Sequence, residues 1–208
     1  MSTLKVDTIL KRTGTGTITV GQSGDTIAMP SATLTTALPV ASGGTGGTSF
    51  SAAGLANTPA FHAYQVSSGT SVSHNTWTSF TNLVEQVDTD SAFASNSFTV
   101  PSGKTGSYLI AMGTGWVVNA DDKLFQWRVR RTNSGGSTDT VLLGSYQTGD
   151  MGTLQIIVQS SRYAYLTAGD VLVPQTWQQS GGTLTTQHSN DYEIGGATYF
   201  SGFKLVGA

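Results

Sequence analysis

Between Asp25 and Glu85 the chain carries no Asp, Glu, Lys or Arg, and the middle of that interval reads Leu38-Pro-Val-Ala-Ser-Gly-Gly-Thr-Gly-Gly-Thr-Ser-Phe50. No apolar run inside it approaches the roughly 20 residues a helix needs to cross a bilayer, so no membrane insertion is expected. A Gly/Ser/Thr tract with scattered Ala, Leu and Val cannot build a core of its own, and without charge it does not behave as a self-repelling tail. The pattern predicts a slim connector ordered by identical copies beside it. It points to an oligomeric, fibrous protein with a short N-terminal piece, a neck and a β-rich head, and not to an enzyme.

Composition supports this. Charged residues are 11% of the chain, against a typical quarter, and there are 26 glycines in 208 residues. So little surface charge protects a monomer poorly against association, and burial in a homo-oligomer resolves the problem. The net charge is -2, and the ten basic residues are scattered except for Arg128, Arg130 and Arg131, so no nucleic-acid partner is expected. The absence of cysteine excludes disulfides, thiol catalysis and cysteine-ligated zinc. The opening Met-Ser-Thr-Leu-Lys-Val-Asp has no apolar core segment, so no signal peptide is expected and the chain is read as assembled in a cytoplasm.

Three regions follow from the pattern. Residues 1–30 carry short alternating runs around Leu4, Val6 and Ile9, around Ile18 and Val20, and around Ile27. Three such strands are too few to bury a core, so these side chains are expected to dock on another component. Residues 31–60 form the neck, read either as a flexible linker or, by preference, as a three-chain stalk. From Phe61 to residue 208, β-type runs recur between Gly, Ser and Asn turns, predicting a sandwich or jelly roll of about ten strands. Within Ser107–Val118 both parities are apolar: Tyr108, Ile110, Met112 and Trp116 on one, Leu109, Ala111 and Val117 on the other. That predicts a central strand covered by the opposite sheet on one side and by a neighbouring subunit on the other. Within Leu124–Arg131 the parities separate Phe125, Trp127 and Val129 from Gln126, Arg128 and Arg130, predicting one wet face.

Catalytic signals are weak. His62, His74 and His188 share no metal-binding spacing. The carboxylate clusters Asp88/Asp90, Asp121/Asp122 and Asp191/Glu193 do not select an opposed glycosidase pair. Asp121-Asp122 lacks the alternating oxygen ligands of a calcium loop, and no metal or cofactor is expected. Of the four tryptophans, Trp177 precedes a Gly-rich polar turn and is the best placed for surface contact. Asp121, Asp122, Trp177, His188 and Asn190, with the loops 119–123, 132–139, 178–182 and 188–192, are the expected recognition surface, since rigid scaffolds position functional loops.

Two resemblances are carried by particular stretches. The neck, with Gly43-Gly-Thr-Gly-Gly-Thr-Ser-Phe50, resembles the Gly-Gly-Thr-Gly-Ala-Thr connectors of bacteriophage tail fibres. Phe98-Thr-Val-Pro-Ser-Gly-Lys-Thr-Gly-Ser-Tyr108, Leu166-Thr-Ala-Gly-Asp-Val-Leu-Val173 and Tyr199-Phe-Ser-Gly-Phe203 are similar, in order, to segments of the complement/tumour-necrosis-factor jelly-roll superfamily. That resemblance implies a trimer whose first and last strands lie near the subunit interface. Phe61, Tyr64, Tyr108, Trp116, Tyr199 and Phe203 are the expected interface residues. Together the two resemblances imply a phage virion protein, assembled in the host cytoplasm, that docks to other virion proteins by its N-terminus. Its trimeric head would bind a host surface glycan or protein. A trimeric capsid decoration protein is the alternative, and a small polysaccharide depolymerase is a third.

Overall fold

The computed structural model describes residues 57–119, 122–147, 153–188 and 197–205. The chain divides into two compact units, 1–48 and 49–208, and all described residues belong to the second. The docking residues Leu4, Val6, Ile9, Ile18, Val20 and Ile27, the neck up to residue 56, and the recognition candidates Asp121 and Asn190 lie outside the described residues.

The described part is all β. Its strands are β1 (Ala60–Gln65), β2 (Ser71–Val72), β3 (Thr78–Ser79), β4 (Leu83–Asp88), β5 (Phe93–Ala94), β6 (Ser97–Thr99), β7 (Gly106–Asn119), β8 (Leu124–Thr132), β9 (Thr138–Gln147), β10 (Thr153–Leu166), β11 (Val171–Gln178), β12 (Leu184–Thr185) and β13 (Tyr199–Lys204). Two sheets form the sandwich. One has the order β10-β7-β13-β1-β4, and the other β5-β6-β11-β8-β9, with β3 also pairing β11. The last strand is thus built into the middle of the first sheet, antiparallel to both β1 and β7.

Alternation in the sequence becomes alternation of burial. Along β1, Phe61, Ala63 and Gln65 are buried while Ala60, His62 and Tyr64 are half-buried. Along β8, Phe125, Trp127 and Val129 are buried, and Gln126, Arg128 and Arg130 form the wet face the sequence predicts. Between the sheets, the Phe61 ring stacks on Phe98 at 4.3 Å and meets Phe200 edge-on at 4.8 Å. Gly202 makes room for this: a Cβ there would stand 2.9 Å from the Phe61 ring and 2.8 Å from Ile110 Cδ1. Trp116 packs on Phe125 further along the core.

Three of the expected interface residues are corrected here. Phe61, Tyr108 and Trp116 are at most 3% exposed and belong to the core of a single chain. Their side chains fill the space between the sheets, and the Tyr108 hydroxyl donates to the Lys104 carbonyl at 2.6 Å. Burial and the charge of Asp90 push its phenol far above the usual range.

Polar atoms secure the connections. Buried Gln65 donates from Nε2 to Thr70 Oγ1 at 2.6 Å and to the Thr81 carbonyl at 2.8 Å, and its Oε1 accepts from Thr186 Oγ1 at 2.6 Å. One amide thereby ties the 66–82 excursion to the segment after β12, with every polar group satisfied. In the Gly-Asp turn before β11, buried Asp170 accepts from the Thr167 N–H at 3.0 Å and lies 3.6 Å from Arg131 Nη1. Arg131 also pairs with Asp139 through both carboxylate oxygens.

Candidate functional site

The outward side of the five-stranded sheet can be read row by row from its register. One row runs Gln159, Gly113, Tyr199, Tyr64, Val84, and the next Ser161, Ala111, Ser201, His62, Val87. A third holds Tyr163, Leu109, Phe203 and Ala60. None of these residues is Asp, Glu, Lys or Arg. Tyr163 and Tyr165 are 67% and 65% exposed, and Ile157, Val84 and Val87 are exposed on the same side. A sheet face without charge and with this much open aromatic surface is what an interaction site requires. Tyr64, Tyr199 and Phe203, half-buried on this side, are the interface candidates whose placement leaves them free for contact.

The centre of the face is ordered within one chain. His62 stacks on Tyr64 at 5.8 Å and lies 6.0 Å from Tyr199. The Tyr199 hydroxyl bonds Gln159 Oε1 at 3.0 Å. Its ring lies flat across β7 because residue 113 is glycine: a Cβ there would sit 2.5 Å from Tyr199 Cε1. Burial raises the Tyr199 pKa and lowers that of His62, since each charged form loses hydration.

The His62 shift has a measurable sign. With the folded pKa below the ordinary imidazole value of about 6.5, the unfolded chain binds more protons, so stability is full above that pH and falls on acidification through the folded pKa. Melting temperature is therefore expected to decline as pH drops below about 6.5. His62→Gln is expected to flatten that part of the profile; an unchanged profile in the variant would exclude His62 as its cause.

The recognition loops do not converge on one surface. Asp122, exposed with φ 52°, sits in the β7–β8 turn, and the Gln179 N–H donates to the Leu124 carbonyl at 3.0 Å, joining the 178–182 turn to the same end of the sandwich. His74 Nδ1 accepts from the Gly181 N–H at 3.0 Å there. His188 lines an open pocket of about 490 Å³ with Ser67, Ser68, Thr185 and Gln187, and the buried Gln187 Oε1 has no hydrogen-bond partner among the described residues. The 133–137 turn is at the far end of β8, beside Gly169. Nine residues of extended chain separate the two ends by roughly 27 Å. Expectation therefore fails for the 132–139 loop as a neighbour of the others.

Trp177 is half-buried near the end of β11, before the Gly-rich turn, on the outward side of the six-stranded sheet. Arg128 and Gln175 are the functional candidates that sequence reasoning missed around it, and Trp77, one of the four tryptophans, ranks behind Trp177 on sequence alone. The alternation of β8 did mark Arg128 as outward, but the pairing that brings Trp77 over it has no local signature. Among the described residues, no three His, Cys, Asp or Glu side chains converge to hold a metal ion.

No protein-family model matches the chain, and no curated protein matches it in sequence. In structure it is similar to Eiger TNF from S. frugiperda, with a TM-score of 0.54 and 19% identity over 72% of this chain and 93% of that one. It is similar to murine APRIL with a TM-score of 0.52 and 15% identity, covering 70% of this chain and 98% of that one. The globular domain of the zebrafish complement 1qA protein matches with a TM-score of 0.46 and 14% identity, covering 71% and 98% of the two chains. The described residues thus form an all-β jelly-roll sandwich, the fold of Eiger and APRIL.

Proposed function

We propose that the chain is a homotrimeric fibre protein of a bacteriophage virion, anchored by its N-terminal segment and displaying a non-enzymatic head that binds a host surface receptor. The observation that carries the trimer is the uncharged aromatic face built on β1, β13, β7 and β10. Its occupant is a second and third copy of the same chain, because a face whose three central rows carry no charged residue complements itself without any ion-pair partner. The phage setting is supported by the Gly/Thr neck, whose resemblance to tail-fibre connectors lies in the sequence alone. A trimeric head gains from effective concentration, so three weak sites on one fibre act as a strong one.

Two measurements on the intact protein test this. Light scattering is expected to give three times the chain mass, and a monomer at micromolar concentration would overturn the assembly. Purified protein added before infection is expected to block adsorption of the parent phage. Undiminished adsorption at saturating protein would remove receptor binding and leave the decoration role, which hundreds of copies per virion would identify.

A further inference from the structure

The outward side of the six-stranded sheet has a chemistry unlike that of the association face. The Arg128 guanidinium lies against the Trp77 ring, with Cζ 4.1 Å from the ring centroid. Arg128 Nε donates to Gln175 Oε1 at 2.8 Å, and Gln175 Nε2 donates in turn to Ser79 Oγ at 3.1 Å. Stack and relay hold the guanidinium at a fixed position, yet it forms no ion pair with a carboxylate among the described residues. Arg130 is exposed two residues along the same wet face. Burial and this second cation lower the Arg128 pKa, so two like charges stand side by side with no acid between them. Register places Gln126 beside Trp177 on β11, and Ser145 of β9 beside Gln126. The β3–β11 pairing, continued by one residue, sets Trp77 opposite Trp177.

We propose that this surface binds a carboxylate-bearing sugar, an acidic oligosaccharide, with Arg128 as the anchor. A guanidinium fork matches a carboxylate bidentately, and one already immobilised by stacking surrenders little rotamer freedom on binding. Trp177 offers a half-exposed ring for the apolar C–H side of a pyranose, while Gln126 and Ser145 supply amide and hydroxyl groups for its hydroxyls. A flat β face with two tryptophans and short polar side chains fits a sugar ring better than a peptide, for which there is no groove. Nucleic acid is disfavoured because two arginines do not make the extended basic track that a phosphate backbone needs. The biological use of the site rests on the receptor-binding reading above; the binding chemistry does not. Shallow, open sites of this kind act in numbers, and display on a trimer multiplies them.

The test is calorimetric titration of the full-length protein with trigalacturonate and with its methyl ester, an uncharged near-isostere. The acid is expected to bind and the ester to bind on the order of tenfold to a hundredfold more weakly, the worth of one charge-assisted contact. Arg128→Gln should weaken acid binding by a similar factor. Arg128→Lys, which keeps the charge but removes the fork, should fail to restore it. Trp177→Ala should weaken acid and ester alike, and Glu85→Gln, on the other sheet, should change neither. Circular dichroism and light scattering on each variant separate loss of the site from loss of the fold or the assembly. Equal affinity for acid and ester, indifference to Arg128→Gln, or no acid binding at millimolar concentrations would overturn the proposal. So would binding of inorganic sulfate without any binding of the sugar. If Arg128→Gln protein binds the acid weakly in calorimetry yet still blocks phage adsorption as wild type does, this site is not the receptor site and the receptor-binding reading stands. If the sugar binds but adsorption is never blocked, the reverse holds.

Discussion

Ser201→Arg is expected to convert the proposed trimer into folded monomers. Ser201 sits at the middle of the outward face of the five-stranded sheet, between Ala111 on β7 and His62 on β1. In the isolated subunit it is half-buried, so a long side chain can extend into solvent and the sandwich has no reason to unfold. In the assembly each copy would press a guanidinium into a desolvated patch whose rows contain no acid. An unpaired buried charge costs several kcal/mol, and each 1.4 kcal/mol is about tenfold in an association constant. Light scattering should report the mass of one chain while the far-ultraviolet spectrum keeps its β signature. A variant that stays trimeric would show that the subunits meet elsewhere.

The second large effect lies in the core. Phe61→Ala removes a ring that stacks on Phe98 and meets Phe200, at a position 3% exposed. Truncating a buried phenylalanine costs about 3–5 kcal/mol, because the transfer energy is lost and the cavity only partly collapses. Whole domains are stable by only about 5–15 kcal/mol, and for a chain of this size the loss corresponds to roughly 6–20 °C in melting temperature. The two substitutions act in opposite ways: Ser201→Arg separates subunits that remain folded, and Phe61→Ala weakens the fold before association. A Phe61→Ala protein that melted normally but dissociated would restore Phe61 to the interface and undo the correction made above.

That correction shows what alternation can carry and where it stops. Period-two patterning marked β7 and β8 nearly to the residue, because these strands are long and each has one face against the opposite sheet. Parity sorts a strand into two sets without saying which set points inward. On β7 both sets are apolar, so Tyr108 and Trp116 could be read as facing either a neighbour or the core. The paired strands decide it: Ile110 aligns with Gly202, and Gly202 aligns with Phe61, on the inner side. β2 and β5 leave no such mark in the sequence because two residues hold no period. The β5–β6 hairpin had a local sign in Ser95-Asn96, whose φ values of 50° and 61° suit the tight turn that Asn favours. The Trp77–Arg128 stack was illegible for a different reason, since it joins residues of β8 and the segment before β3 across β11.

The position of β13 has a temporal consequence. Ala60 pairs with Phe203, and Leu109 pairs with that same residue from the other side, so the first sheet is two separate strand pairs until residues 199–204 leave the ribosome. Both β1 and β7 then present open edges, the state in which nascent β-proteins cross-link with one another. A prematurely terminated product therefore lacks the strand that joins the halves and the Tyr199 and Phe203 rings as well. The topology itself thus withholds a continuous first sheet until the chain has been synthesised through residue 204.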